Sequence, residues 1–168
     1  MRKFADLGWA KFAADPALES WVNAVNPAAI EAVHAPENAH WLQCEGTWFV
    51  GVDVLDNDNK GAVVNGPDLS GAAYGFACQQ FGALPLHKGQ VSVIYPDYPK
   101  ARMGESDAAL NYRIKRDAAH LDGLKLGDGK RRFMDEYHAY VLGISLTGSA
   151  QSPLVVWEGS HGVMRAML

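Results

Sequence analysis

The sequence has little of three things that would each mark a class of protein. It contains only two cysteines, Cys44 and Cys78, which form neither a CxxC pair nor a disulfide framework, so we expect free thiols in a reducing cytoplasm. Its apolar runs are far shorter than the roughly 20 residues of a membrane-spanning helix, so we expect no membrane partner. Its 15 Lys and Arg are outnumbered by 19 Asp and Glu, for a formal net charge of −4, which argues against nucleic acid as the main partner.

The chain has enough hydrophobic residues to form the core of one domain. Of its 168 residues, 48% are hydrophobic and 20% are charged, which is the balance of an ordinary globular protein. No internal repeat and no low-complexity tract divides it. We therefore expect residues 1–168 to form a single domain, with a helical layer at 1–45 and a β-rich part at 46–168.

Helix signals dominate the first 45 residues. In "DPALESWVNAV", Asp15 and Pro16 have the residue types that cap and begin a helix. The apolar residues that follow have the i, i+3, i+4, i+7 spacing of one buried helix face, namely Leu18, Trp21, Val22 and Val25. "NPAAIEAVH", residues 26–34, again has a capping residue followed by proline, Asn26 and Pro27, and predicts a second short helix. Residues 4–13 and 72–82 are further helix candidates.

From Trp48 onward the apolar period changes from helical to alternating. "TWFVGVDVL" places Trp48 and every second residue after it on one side of a strand. "GQVSVIYPDYP" predicts a second strand, closed by two prolines. "AYVLGISL", 139–146, predicts a third, and "LVVW", 154–157, a fourth. Helices followed by short strands indicate a mainly β fold of sandwich or jelly-roll type, with the helices packed outside.

The stretch "DAAHLDGL", residues 117–124, carries the most chemistry. Side chains alternate across a strand, so His120 and Asp122 are predicted to share one face, about 6.5–7 Å apart along it. Gly123 lets the backbone turn directly after them. One imidazole and one carboxylate are two of the three ligands of the 2-His-1-carboxylate triad that holds Fe(II). The alternative is a histidine and an aspartate that are hydrogen-bonded on a loop and bind no metal.

Together with its flanks, this motif resembles a known family. The stretches "RDAAHLDGL", "VSVIYPDYP" upstream and "SPLVVWEGSHGVMR" downstream resemble the phytanoyl-CoA dioxygenase-like family of Fe(II)/2-oxoglutarate oxygenases. The resemblance covers about residue 45 to the end, with Glu158 where the family usually has proline. It implies a double-stranded β-helix (a jelly-roll or cupin-like barrel), His120 and Asp122 as iron ligands, and 2-oxoglutarate as co-substrate. It also implies hydroxylation of a small organic molecule.

The third iron ligand is the missing part of this interpretation. His161 matches the histidine of the family's "GSH" turn, which does not bind iron. Arg165, four residues later, has helical spacing to His161, whereas the family's distal His and its 2-oxoglutarate-binding Arg lie on two successive strands. We therefore expect neither residue to complete the site. On this interpretation the barrel is incomplete at Leu168, the truncated chain is expected to be inactive, and its open sheet edges favour a homodimer.

Two further features near the motif have both a functional and an ordinary interpretation. Tyr140 begins the strand after the motif and, by the resemblance, is a candidate 2-oxoglutarate contact; otherwise it is a core residue. Seven of the 15 Lys and Arg fall within residues 113–132, which would attract an anionic substrate or would simply belong to a solvated loop.

Two functions from different classes therefore stand side by side. The first is an Fe(II)/2-oxoglutarate-dependent dioxygenase with His120 and Asp122 at its metal. The second is a non-catalytic β-barrel remnant or interaction module, in which the same two residues are structural. Iron-dependent release of succinate from 2-oxoglutarate would separate them.

Overall fold

The architecture was established from a computed structural model, which describes residues 3–123, 125–127, 132–133, 139–148, 151 and 153–167. The helices are α1 (Phe4–Leu7), α2 (Glu19–His34), α3 (Ala72–Phe81), α4 (Asp107–Lys115) and α5 (Ser160–Met167). The strands are β1 (Leu42–Gln43), β2 (Trp48–Leu55), β3 (Gly89–Ile94), β4 (Lys125–Leu126) and β5 (Arg132–Phe133). Short 3₁₀ turns at Pro16–Leu18 and Pro36–Trp41 flank α2. Across the described ranges, every helix is too short or too polar to span a bilayer.

Helix α2 is a single element where the sequence predicted two. Asp15 caps the preceding 3₁₀ turn as expected, since its carboxylate accepts a hydrogen bond from Ala17 N at 2.9 Å. Pro27, expected to begin a second helix, instead lies inside α2. A proline there removes one backbone hydrogen bond at a cost of about 3 kcal/mol. The buried stripe of Trp21, Val25 and Ala29 runs through this point, and its burial offsets that cost.

Strands β1, β2 and β3 form one antiparallel sheet with β2 in the centre. In the register of β2 and β3, Trp48 lies opposite Ile94 and Gly51 opposite Val91. The register then shifts before Leu55, and within the shift Asp53 has a φ of 56°. This irregularity is a β-bulge, so the strict alternation predicted over residues 48–55 ends at Asp53.

The core lies between α2 and this sheet. The buried stripe of α2 packs against Phe49, Leu55 and Val91, together with Val63 and Leu69 from the connection that follows β2. Trp21 also donates from Nε1 to the carbonyl of Gly61 at 2.8 Å, so its one polar atom is satisfied in the interior. The predicted apolar face of the first helix is therefore the face that builds the core.

The predicted double-stranded β-helix is wrong, and so is the mainly β fold class. Helix, with the 3₁₀ turns included, makes up 37% of the residues that the structure describes, and the sheet of three strands is open rather than closed into a barrel. A barrel requires each strand to pair on both sides until the sheet closes. Within the described residues, β4 and β5 pair with each other and not with β1–β3, so no such closure occurs there.

The fold class was predicted wrongly because residues 139–146 and 154–157 were predicted to be strands. Residues 139–146 keep a two-residue period, since Leu142, Ile144 and Leu146 pack against the core. Residues 154–157 are instead solvated, with Leu154 86% exposed. Neither segment is assigned to a strand in the structure, because apolar alternation provides a packing face without providing a hydrogen-bonded neighbour.

Helix α5 packs against α1 through polar contacts. The amide of Gly159 donates to Leu7 O at 2.9 Å, and Nε2 of His161 donates to Ala5 O at 2.9 Å. Gly8 ends α1 with a φ of 77°, and a Cβ at that position would collide with the ring of His161. The glycine is thus required both by its backbone conformation and by the neighbouring imidazole.

Replacing Gly8 with alanine is expected to lower the free energy of unfolding by about 1–3 kcal/mol, because alanine is strained at this φ and displaces His161. Gly75→Ala is the matched control, since nothing lies within 4 Å of its position inside α3. The control is expected to raise stability by about 0.5–1 kcal/mol. Urea denaturation measures both changes, and equal stabilities of the two variants would contradict the packing of α5 on α1.

Candidate functional site

The HxD motif lies on a turn that α4 and its C-terminus position. Ser106 caps α4, accepting a hydrogen bond from Ala109 N at 3.3 Å. Beyond the helix, Asp117 and Ala118 have φ values of 50° and 51°, and Gly123 has a φ of 77°. The predicted strand over this motif is therefore wrong, because two successive left-handed residues turn the chain. The tight turn expected at Gly123 is confirmed.

The two side chains of the motif nevertheless meet. Nε2 of His120 lies 3.3 Å from Oδ1 of Asp122, and the two side chains are 73% and 58% exposed. On the other side of the ring, Nδ1 of His120 donates to the carbonyl of Ala118 at 2.9 Å. This is the arrangement of the alternative interpretation, a histidine and an aspartate paired on a loop, and metal binding by the pair stays a prediction.

This arrangement leaves Nε2 and Oδ1 facing each other across a short gap. With the ring proton held on Nδ1 by Ala118, a neutral His120 presents a lone pair at Nε2, and an ionised Asp122 has only lone pairs to offer. Two such atoms repel unless a proton or a metal cation lies between them. Metal-binding histidines commonly donate their other ring N–H to a backbone carbonyl in this way.

As a donor set, the pair fits two ligands of one ion. Two atoms bound to the same ion through bonds of about 2.0–2.2 Å lie within about 4.4 Å of each other, and this pair meets that limit. A third ligand is not supplied nearby: in the part of the chain that the structure describes, no three His, Cys, Asp or Glu side chains are grouped to hold a metal. The spacing of the pair thus fits two ligands of a facial triad, and the described residues offer no third.

A pocket of about 390 Å³ opens beside His120. Most of its wall comes from α4 and the turn after it, and the rest from β2 and the segment before α4. Its lining residues are Trp48, Arg102, Glu105, Ala109, Tyr112, Arg113, Arg116, Ala118, Ala119 and His120. A volume of this order suits a small organic molecule.

Two of the lining residues, Glu105 and Arg113, form an ion pair. Arg113 donates to Glu105 from Nε at 3.0 Å and from Nη2 at 2.9 Å, and both side chains are only 12% exposed. The backbone amide of Arg102 adds a third donor to the same carboxylate at 2.9 Å. The Arg113 guanidinium, followed by the Arg102 amide, lowers the pKa of Glu105 to about 2. The carboxylate is therefore ionised and fully engaged at neutral pH.

The two other arginines of the pocket lie over aromatic rings. The guanidinium of Arg102 is 5.9 Å from the centre of the Trp48 ring, and that of Arg116 is 5.0 Å from the centre of the Tyr112 ring. Arg116 also donates from Nη2 to Ala119 O at 2.5 Å, which ties it to the turn that carries His120. These contacts fix both cations at the wall of the pocket.

Tyr140 lies against α3 and does not line this pocket. Its ring stacks on Phe81 of α3 with ring centres 5.4 Å apart, and burial and the nearby Cys78 raise its pKa. Its hydroxyl is buried without a hydrogen-bond partner among the described residues, and Tyr140 is not among the residues that line the pocket. Its role as a co-substrate contact remains a prediction, and the structure brings it together with α3 rather than with His120.

His161 and Arg165 both lie on α5. The imidazole of His161 is engaged with Ala5 O, and Arg165 is exposed one turn further along the helix. The sequence expected neither to complete the metal site, and the structure gives His161 a packing role. Of the basic residues between 113 and 132, Arg113 and Arg116 reach the pocket, while Lys130 and Arg131 lie outside the described residues.

A second cavity, of about 490 Å³, is lined by three aspartates, but each of these carboxylates is already hydrogen-bonded or paired with a lysine. Asp58 accepts hydrogen bonds from Lys60 N and Ala62 N, both at 2.9 Å. Asp56 pairs with Lys88 at 2.7 Å and Asp68 with Lys60 at 3.2 Å. These carboxylates stabilise a loop, and we assign them no ligand.

Sequence reasoning missed the contributions of Trp48, Arg102, Glu105 and Tyr112. Their only local signals were a capping serine before α4 and an excess of basic residues after residue 113, because the pocket joins segments that are distant in sequence. No family model, no curated protein and no solved structure matches this chain, so the evidence for the site is its own geometry.

Proposed function

We propose that this chain carries part of the metal centre of an Fe(II)/2-oxoglutarate-dependent dioxygenase that hydroxylates a small organic molecule. The observation that carries the proposal is the pair of facing atoms, Nε2 of His120 and Oδ1 of Asp122, at 3.3 Å. His120 is held in the tautomer that leaves Nε2 available, and Asp122 supplies the negative charge.

The neighbouring pocket supports the same proposal. His120 belongs both to the facing pair and to the pocket wall, so a molecule in the pocket would lie beside the metal ligands. An iron ion bound by a histidine and a carboxylate would supply oxygen activation. The residues of this chain would hold the ion, position the organic molecule and, through the exposed face of the pair, leave open positions beside the ion.

The competing function is a non-catalytic module in which His120 and Asp122 form a plain ion pair. The observation that favours it is the lack of a third metal-ligating side chain near the pair within the described ranges. In that case a proton, rather than a metal, lies between the two atoms. Metal binding is therefore the property that separates the two functions.

The decisive experiment is a titration with Mn²⁺, followed by paramagnetic broadening of the histidine ring resonances. We expect the His120 resonances to broaden first. Asp122→Ala is expected to weaken Mn²⁺ binding at least about tenfold, because the Asp122 carboxylate is one of the two proposed ligands. His34→Ala is the matched control: His34 is also exposed and its Nδ1 also bonds a backbone carbonyl, that of Ile30 at 2.8 Å. This variant is expected to leave the response of His120 unchanged.

The outcome that would overturn the metal site is equal broadening of His34 and His120, or broadening that survives Asp122→Ala. A catalytic readout accompanies the titration: Fe(II)-dependent release of succinate from 2-oxoglutarate, lost in His120→Ala and in Asp122→Ala. Broadening without succinate would support the metal site and contradict dioxygenase activity in this chain.

We also propose that the protein acts in the cytoplasm. Cys44 and Cys78 are both free, and Cys44 is buried in the described structure. Free thiols of this kind are typical of proteins kept in a reducing compartment.

A further inference from the structure

We propose that the pocket beside His120 binds a small organic molecule with an oxyanion head group, a carboxylate or a phosphate, and that Arg102 and Arg116 recognise the head group. As a statement about the substrate of the metal site, this inference rests on the proposed function. As a statement about binding, it depends only on the pocket and can be tested without metal.

The charge of the pocket is the first argument. Three arginines and one glutamate line it, which leaves two positive charges in excess among these four side chains. Arg113 and Glu105 neutralise each other through their two-pronged ion pair. The excess charge therefore belongs to Arg102 and Arg116, in a protein whose overall charge is −4.

The way these two arginines are held is the second argument. A guanidinium that lies over an aromatic ring uses its flat face, and its N–H groups point outward in its own plane. The guanidinium of Arg102 lies over the Trp48 ring and that of Arg116 over the Tyr112 ring. Arg116 also donates from Nη1 to the Tyr112 hydroxyl at 3.4 Å and from Nη2 to Ala119 O, which uses two of its five N–H groups. The N–H edge of a guanidinium matches the two oxygens of a carboxylate or the oxygens of a phosphate. Both side chains are thus held in place while donors remain for a ligand.

The remaining wall determines the rest of the ligand. Besides its charged groups, the pocket presents the rings of Trp48 and Tyr112 and the methyl groups of three alanines. Its volume of about 390 Å³ accommodates a body of roughly one ring beyond the head group. We therefore infer a compact apolar body attached to the oxyanion, rather than a free inorganic ion.

The test uses the metal-free protein and two probes, benzoate and phenyl phosphate, with binding followed by chemical shifts or calorimetry. We expect at least one of the two to bind, and uncharged benzamide and inorganic phosphate to bind at least about tenfold more weakly. Arg116→Gln is expected to weaken the probe about tenfold, which is the effect of losing one hydrogen-bonded charge partner. Whichever probe binds more tightly identifies the head group.

Lys115→Gln is the matched control. Lys115 ends α4 next to Arg116 and is not among the residues that line the pocket, and its replacement changes the net charge by the same amount. Because Arg116 also ties down the turn at Ala119, Arg102→Gln provides a second variant that leaves that contact intact. Equal losses in Lys115→Gln and Arg116→Gln, no loss in either arginine variant, or benzamide binding as tightly as benzoate would each overturn the proposal.

The same set of variants keeps this inference separate from the metal site. Asp122 does not line the pocket, so Asp122→Ala is expected to lose the Mn²⁺ response and to keep the probe. Arg102→Gln is expected to show the reverse. Loss of both properties in both variants would contradict two independent sites and would indicate a change of fold.

Discussion

Phe49→Ala is expected to lower the free energy of unfolding by about 3–5 kcal/mol, the largest effect of any single substitution considered for this chain. Phe49 is 1% exposed and lies on β2, between the strand's two partners and the buried face of α2. Truncation would remove the largest fully buried side chain among the described residues and leave a cavity that the helix and the sheet cannot both move to fill. Urea denaturation followed by circular dichroism measures the change.

Val52→Ala is the matched control for this substitution. Val52 lies three residues along the same strand and is 44% exposed, so its truncation is expected to change stability by no more than about 0.5 kcal/mol. A Phe49→Ala protein as stable as the Val52→Ala protein would show that the α2–sheet interface is not the core. Such a result would also contradict the position of Trp48, which lies next to Phe49 on β2 and lines the pocket.

Arg113→Met is expected to destabilise the protein by about 2–3 kcal/mol at neutral pH, because Glu105 then keeps its charge in a mostly buried place without its main partner. In the natural protein, Arg113 contacts both oxygens of Glu105 and donates from Nη2 to the carbonyl of Lys100 at 2.8 Å. The substitution is also expected to loosen the start of α4, since Glu105 lies directly before its capping serine.

The pH dependence of this effect has a definite sign. The pKa of Glu105 falls from its ordinary value of 4.5 to about 2 in the folded chain, chiefly because Arg113 donates to it. A carboxyl whose pKa is lowered by folding stabilises the protein above the unfolded value and loses that contribution as the pH falls through the folded value. The stability gap between the natural protein and Arg113→Met is therefore expected to be full above pH 4.5 and to shrink towards pH 2.

Lys115→Met is the control for the ion pair, since it removes an exposed cation from the same helix. It is expected to leave both the stability and its pH dependence nearly unchanged. Urea midpoints at pH 7, 4.5 and 3 are sufficient to measure the gap. A gap that is constant over this range would contradict the assignment of the lowered pKa to the contact with Arg113.

Much of the local structure could be predicted from spacing alone. The buried face of α2 was predicted from Trp21 and Val25, and α3 was predicted over 72–82 and found at Ala72–Phe81. The strands at Trp48–Leu55 and Gly89–Ile94 were predicted from alternation. These predictions succeeded because a helix face and a strand face are periodic in the chain itself.

The candidate site was predicted only in part. The pairing of His120 with Asp122 was anticipated in two forms, as ligands on a strand face and as a hydrogen-bonded pair on a loop. The structure has the loop, since the chain turns at Asp117 and Ala118. The pocket beside them was not anticipated. Arg102 meets Trp48 only because β2 and the segment before α4 pack side by side, and no local pattern encodes that contact.

The sequence by itself determined the helical face of α2, the two long strands, the free thiols and the two donor atoms of the HxD motif, since each depends on neighbours along the chain. Only the tertiary structure decided that Pro27 lies within a helix, that residues 139–146 pack on the core without forming a strand, and that the sheet stays open. Strand pairing and pocket walls depend on which distant segments meet. That choice is made by the burial of the whole core and not by any one stretch of residues.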